Sequence, residues 1–190
     1  MGKKDKIKKN NISSVEDITG LVFEGARVAL PVFIDEYSKE CDRKNVIENK
    51  INTLLTIDIA ILTVFIPIIP FENIRTYLSS DNRGITIATV IGCMILFVGI
   101  AMMAVSFGIL MRAVNIKTYS KVDVEKLDLE NNLRSDANSV EKGLCDHYKA
   151  IILDNSILND DKAVKYKICI PITIISFLFL AIGTILLKVL

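Results

Sequence analysis

Between Ile85 and Met111 the chain has 27 consecutive residues without a charged side chain. As an α-helix this stretch is about 40 Å long, more than the hydrocarbon thickness of a bilayer, about 30 Å, so it is long enough to cross with a tilt. A backbone inside lipid has to satisfy its own hydrogen bonds, and a single segment does so only as a helix. The chain is therefore constrained to be an integral membrane protein built from helices.

Two further apolar stretches have the length of a membrane span. Leu54–Phe71 has 18 residues and one formal charge, Asp58, and as a helix it is about 27 Å long. Ile168–Leu187 has 20 residues and no charge. We therefore predict an all-α integral membrane protein with three transmembrane helices. The polar residues 72–84 are predicted to form a short turn between the first two spans.

Apolar and charged residues occur in separate blocks. The chain is 51% hydrophobic and 24% charged with a mean hydropathy of +0.42, a combination that is unusual for a soluble domain. The polar block Asp35–Lys50 alternates acids and bases at helical spacing, and neither Gly nor Pro separates it from the first span. Residues 139–166 carry an apolar stripe at helical spacing and lead into the third span. We predict a cytosolic helical portion that is continuous with the transmembrane helices.

These blocks divide the chain into four predicted segments. They are a cytosolic basic tail with helices (1–52), a transmembrane hairpin (53–111), a cytosolic helical segment (112–166) and the third transmembrane helix (167–190). Within the first segment, residues 1–12 are rich in Lys, and residues 20–37 form an amphipathic stretch. We expect this stretch to pack on the cytosolic helices or to lie at the membrane interface.

Basic residues beside the spans predict the orientation. The loop between the first two spans has only Arg75 and Arg83, and the chain end has only Lys188. The other flanks are richer, with Lys39, Arg43, Lys44 and Lys50 before the first span, Arg112, Lys117 and Lys121 after the second, and Lys162, Lys165 and Lys167 before the third. We expect a multi-pass protein of the inner or plasma membrane, with a cytoplasmic amino terminus and an extracytoplasmic carboxyl terminus.

The sequence has no pattern that predicts catalysis or metal binding. Its four cysteines are isolated from one another, and the single His147 is not part of a pattern with metal-ligand spacing. It has no Gly-rich phosphate loop and no nucleophile with an adjacent base. The net charge is +1, and no motif combines basic and aromatic residues. We predict that the protein is not an enzyme and that it has no cofactor, no metal and no nucleic-acid partner.

Asp58 is the candidate functional residue within the membrane. It lies about one turn inside the first span, where a carboxylate costs less than the roughly 2.5 to 3.5 kcal/mol of the bilayer centre. It could make a contact between subunits or line a polar pore. The alternative is a residue near the interface that is hydrated through a local defect, with Lys50 and Thr56 nearby.

Small residues in the second span are candidates for close helix packing. Ala104 and Gly108 are four residues apart, and small residues at this spacing let two helices approach closely. The partner helix would be the first span of the same chain or a second copy.

The entry to the first span resembles a known family. The stretch NKINTLLTIDIAILT is similar to that of small prokaryotic membrane effectors attached to nucleotide-signalling antiphage systems, the SLATT-type and Pycsar transmembrane effector families. Members commonly carry D-x-K-A-x-x-L-L-T-I-D/N there, and the residues that stand in those places are Glu48, Lys50, Leu54, Leu55, Thr56, Ile57 and Asp58. Asn49, Ile51 and Asn52 depart from the pattern. The stretch HYKAIILDNSILNDDKAVKYK is similar to a helix of the family that leads into a further span.

The resemblance implies a function. Such proteins are thought to be effectors of antiviral defence that disrupt the inner membrane during phage infection, triggered by a signalling nucleotide or a cytosolic partner protein. Three spans cannot enclose a channel with a polar lining, so we expect a homo-oligomer in the lipid bilayer. Two alternatives remain: a non-enzymatic membrane anchor or scaffold, and a small channel or transporter subunit in which Asp58 binds an ion or a proton.

Overall fold

The computed structural model describes residues 24–115, 119–122 and 134–190. The predicted Lys-rich tail, and the part of the amphipathic stretch before residue 24, lie outside these ranges. Four helices make up nearly all of the described residues, and no strand occurs among them. They are α1 (Glu24–Ile68), α2 (Phe71–Leu78), α3 (Arg83–Val114) and α4 (Ala137–Val189). The all-α prediction is confirmed.

Three of these helices are long and apolar enough to cross a membrane: Gly25–Ile68, Arg83–Val114 and Ala137–Val189. α1 has 45 residues and α4 has 53. Both are longer than a membrane span, and each includes a polar stretch before its apolar part. The predicted continuity between polar helices and spans is therefore confirmed for both. A polar stretch persists as helix because pairs such as Lys39 with Asp35, at 2.8 Å, stabilise successive turns.

The connection between the first two spans differs from the predicted polar turn. It contains α2, a helix of eight residues that follows Pro70. α1 ends at Ile68 because a proline disfavours helical geometry in the residue before it, here Ile69. α3 starts at Arg83, and the side chain of Asn82 caps it by accepting a hydrogen bond of 3.0 Å from the Gly84 amide.

The described residues form two compact units. We call residues 24–42, 119–122 and 134–157 the polar unit, and residues 43–115 and 158–190 the span unit. The unit limits fall about ten residues before the predicted segment limits at 52/53 and 166/167. Charged residues near the start of the spans therefore group with the span helices.

The polar unit is held by aromatic packing and by one buried amide. The rings of Tyr37 and Tyr148 meet edge to face with centroids 5.7 Å apart. Asn155 is fully buried, and its amide accepts a hydrogen bond of 3.0 Å from the Ser120 backbone N–H and donates one of 2.9 Å to the Ser120 carbonyl. Tyr119 donates a hydrogen bond of 3.0 Å to the Glu40 carbonyl. Residues 119 and 120 are thus fixed against α1 and α4.

In the span unit, buried positions recur every three or four residues along α3, along α4 from Cys169 onward and along α1 from Ile51 to Asp58. This is the spacing of a seam in which side chains of one helix enter the spaces of its neighbours. On α3 the seam is Thr89, Gly92, Leu96, Gly99, Met103, Ser106, Leu110 and Ala113. On α1 it includes Ile51, Leu54 and Asp58, and on α4 it includes Cys169, Thr173, Ser176, Leu180, Thr184 and Leu187.

Glycine makes α3 and α4 approach closely. A Cβ atom added to Gly183 would lie 2.8 Å from Leu96 Cγ and 3.1 Å from the Leu96 backbone nitrogen. One added to Gly99 would lie 3.2 Å from the Leu180 backbone nitrogen. A methyl group at Gly183 would force Leu96 to shift, and one at Gly99 would press its neighbours by a few tenths of an ångström, so these glycines allow the two helices to approach closely.

Candidate functional site

The three span helices meet at one buried carboxylate. Asp58 of α1 and Ser106 of α3 have no exposed surface, and Thr173 of α4 is 4% exposed. The Thr173 hydroxyl donates a hydrogen bond of 2.8 Å to Asp58 Oδ1, and the Ser106 hydroxyl donates one of 3.2 Å to Oδ2. The two hydroxyl oxygens are 3.1 Å apart. We call these three residues the polar layer.

The seam spacing explains why these residues come together. On each helix the polar-layer residue occupies one seam position, and along the three helices the layer lies between two apolar clusters. One cluster consists of Ile51, Leu54, Leu110, Ala113 and Cys169. The other consists of Ile69, Leu96, Met103, Leu180 and Leu187. The polar layer is therefore sealed from both ends of the bundle.

The charged residues that flank the spans put all three side chains at a similar depth. Ser106 lies six residues before Arg112, and Thr173 lies six residues after Lys167, which is about 9 Å along a helix. Asp58 lies eight residues after Lys50, about 12 Å. Equal depth lets one carboxylate reach a hydroxyl of both neighbouring helices.

The expected environment of Asp58 is wrong in one respect. Its partners among the described residues are Ser106 and Thr173, and not Lys50 or Thr56. Thr56 is two residues away and projects from another side of α1, where it donates a hydrogen bond of 2.9 Å to the Asn52 carbonyl. Since Asp58 has no exposed surface, protein hydroxyls supply its hydrogen bonds in place of water.

The polar layer is suited to holding helices in register. Both carboxylate oxygens are satisfied, and neither partner in the described chain is a cation. Such a group stabilises the one alignment in which its hydrogen bonds form and penalises every shifted alignment, because a shift leaves a buried carboxylate unpaired. With Asp58 and Ser106 fully enclosed, the layer offers no surface to a substrate in this packing.

The family-like entry residues of α1 divide between two faces. Glu48 pairs with Lys162 of α4 at 2.6 Å, and Leu54 is buried in the apolar cluster that Leu55 flanks. The exposed residues are Lys50, Thr56 and Ile57. Half of the entry pattern is therefore used to join α1 to α4, and the other half faces outward.

A second pair of charged residues joins the same two helices. Arg43 of α1 pairs with Asp160 of α4, near the pair formed by Glu48 and Lys162. The Lys162 side chain is only 10% exposed, so this cation is largely removed from solvent and its pairing matters more than that of a surface lysine.

Ala104 and Gly108 do not pack within the described chain. Both are exposed, and a Cβ atom added to Gly108 would meet no atom within 4 Å. The expected packing of this pair against the first span is therefore not seen, because the seam residues Met103, Ser106 and Leu110 occupy that side of α3. Contact with a second copy stays a prediction.

Ser106 and Thr173 were missed as site residues. A signal for Ser106 exists in the sequence, since Gly92, Gly99, Ser106 and Ala113 are small residues spaced by seven, which marks one packed face of a helix. We find no equivalent signal for Thr173, because the third span has several hydroxyl residues.

In the polar unit, burial raises the pKa of one cysteine, Cys145, and of one tyrosine, Tyr37. Burial, and then the nearby carboxylates of Asp146 and Glu141, raise the pKa of the Cys145 thiol. Burial is also the main reason why the pKa of Tyr37 is raised. Within the described residues no group of three or more His, Cys, Asp or Glu side chains is placed to hold a metal ion.

No family model, no curated protein and no solved structure matches this chain. The interpretation of the site therefore depends on the residues and their geometry.

Proposed function

We propose that this protein is a membrane-embedded effector of prokaryotic antiphage immunity, which perturbs the inner membrane when a trigger acts on its polar helices. The trigger would be a signalling nucleotide or a cytosolic partner protein. The polar unit would face the cytoplasm, and the carboxyl terminus would lie outside. The resemblance of the entry to the first span supports this class of function.

The observation that carries the proposal is the hydrogen bond between Asp58 and Thr173. It joins α1 and α4, the two helices that extend beyond their spans as polar helices. A displacement of either polar stretch would be transmitted along its own helix to this contact. A cytosolic trigger would therefore have its largest energetic effect in the span unit at the polar layer.

The proposed active state follows from the cost of an unpaired carboxylate. If α1 and α4 separate, Asp58 and Thr173 lose their mutual hydrogen bond, and exposure of the carboxylate to lipid is costly. Polar side chains of a second copy would satisfy them again. Oligomers would thus acquire a polar lining that one chain with three spans cannot enclose.

The test is expression in a bacterium, with growth and membrane potential followed by a potential-sensitive dye during challenge with a panel of phages. We expect growth arrest with depolarisation in infected cells that carry the wild type. Asp58→Leu should abolish the response, as should deletion of residues 168–190. Thr184→Val is the matched control, because among the described residues its hydroxyl bonds only to the Leu180 carbonyl of its own helix.

Two results would contradict the proposal. One is normal growth with an intact potential for every phage in the panel. The other is equal depolarisation by the wild type and Asp58→Leu when membrane levels of both proteins are the same.

A second candidate is a non-enzymatic membrane anchor or scaffold. The closed packing of the polar layer between two apolar clusters favours it, because a permanently assembled bundle needs no second arrangement. Recovery of one stoichiometric partner from cells, without any effect on growth or potential, would support the anchor and exclude the effector.

A further inference from the structure

A groove opens on the side of the span unit where the first span begins. Its volume is about 210 Å³. Its lining is graded from polar to apolar along the direction of α1, from Asn49 and Lys50 to Leu54 and Ile57. The complete lining is Asn49, Lys50, Thr53, Leu54 and Ile57 of α1 with Tyr166 of α4.

Among the described residues, the positive charge at the polar end of the groove is uncompensated. The acidic residues around the entry to the span have basic partners, as the pairs Lys162 with Glu48 and Lys165 with Asp161 show at 2.6 and 2.7 Å. Lys50 is exposed, and no carboxylate of the described residues pairs with it. The described residues therefore leave its ammonium open to an anion.

The register of α1 and α4 brings more positive charge to the same level. Contacts of Glu48 with Lys162 and of Asp58 with Thr173 align residues that differ in number by about 115. Lys167 of α4 therefore lies within about one turn of the level of Lys50. It too is exposed and has no carboxylate partner in the part of the chain that the structure describes.

We propose that this groove binds an anionic phospholipid. The headgroup phosphate lies against the Lys50 ammonium and the Asn49 amide, and an acyl chain follows Leu54 and Ile57 into the hydrocarbon. A tyrosine with one polar end, Tyr166, suits the boundary between these two zones. The proposal depends only on the spans being in a membrane and is independent of the effector function.

A free phosphate ion would contact only the polar half of the groove. Apolar side chains contribute nothing to binding an inorganic anion, whereas a lipid uses both ends of the groove at once. Basic pockets between span helices at the membrane surface are the kind of site that anionic headgroups occupy. The graded lining is what selects a lipid over a soluble anion.

The experiment is native mass spectrometry of the full-length protein in detergent, titrated with phosphatidylglycerol and, separately, with phosphatidylcholine of the same chain length. We expect the wild type to prefer phosphatidylglycerol. Lys50→Gln should bind it about fivefold more weakly, and Lys50→Arg should restore the affinity. Lys188→Gln is the matched control, because it removes the same charge from an exposed position at the far end of α4.

Inorganic phosphate and glycerol phosphate form a further arm, in which we expect little competition with the lipid. The proposal is overturned if the wild type does not distinguish the two lipids, or if Lys50→Gln and Lys188→Gln weaken binding equally. It is also overturned if inorganic phosphate displaces the lipid at comparable concentration. Lys50→Met is a second variant for the case that Lys50→Gln loses helicity.

Discussion

The Thr173 hydroxyl lies 2.8 Å from the Asp58 carboxylate and joins two helices across a separation of 115 residues. Ser106 brings the third span helix to the same carboxylate. A buried charge with satisfied hydrogen bonds adds little net stability to the fold. Removing one of its hydrogen-bond partners destabilises the fold, because the charge is then buried and unsatisfied. The polar layer therefore acts mainly through specificity: it favours one alignment of the three spans.

Thr173→Val should destabilise the bundle, whereas Thr184→Val should not. Both residues are buried threonines of α4, but Thr184 bonds only to its own helix and Thr173 bonds to Asp58. We expect a loss of about 1 kcal/mol in the free energy of unfolding for Thr173→Val. Unfolding in mixed micelles with increasing dodecyl sulfate, followed by circular dichroism, measures it. Equal effects of the two changes would contradict a special role for the polar layer.

Asp58→Asn should leave stability close to that of the wild type. The amide has the same shape, accepts a hydrogen bond from one hydroxyl and donates one to the other, and carries no charge to bury. The same unfolding experiment tests this. A loss of well over 1 kcal/mol would mean that the carboxylate itself, and not only a group of its shape, is required for this packing.

Gly183→Ala should separate α3 from α4, and Gly108→Ala should not. The new methyl group at position 183 would lie 2.8 Å from Leu96 Cγ, while the one at position 108 would meet open space. We expect a loss of about 1 to 3 kcal/mol for Gly183→Ala and no loss for Gly108→Ala, which gains helix propensity. A destabilised Gly108→Ala protein would instead point to a second copy packed on that face.

Cys145 should react more slowly with maleimides than Cys41, which is partly exposed. Burial and two neighbouring carboxylates raise the pKa of Cys145 above its ordinary 9.0, so less thiolate is present near neutral pH. The folded state holds this proton more tightly than the unfolded chain does. The stability from this group is therefore present below pH 9 and decreases as the pH rises further. Timed alkylation followed by peptide mass mapping checks the order, and faster labelling of Cys145 would contradict it.

Much of the fold was predictable because its causes are local. Ile85–Met111 has to be a helix in lipid whatever surrounds it. The absence of Gly and Pro between Asp35 and the first span predicts an unbroken helix, and α1 is continuous through this stretch. The short helix α2 was missed, because Phe71, Ile74 and Leu78 recur at helical spacing over only eight residues, and Phe71 was assigned to the end of the first span.

The amino-acid sequence by itself determined that the chain has three apolar spans, that two of them continue into polar helices, and that Asp58 is the one charged residue within the spans. Length, hydropathy and charge are properties of single segments, so they can be read without the fold. Only the tertiary structure decided that Ser106 and Thr173 bind this carboxylate and that Ala104 and Gly108 face away from the bundle. The spans contain several hydroxyl and several small residues, and the type of residue alone does not show which of them face the bundle. The relative register of three helices selects among them, and register depends on the packing of all the seam residues together.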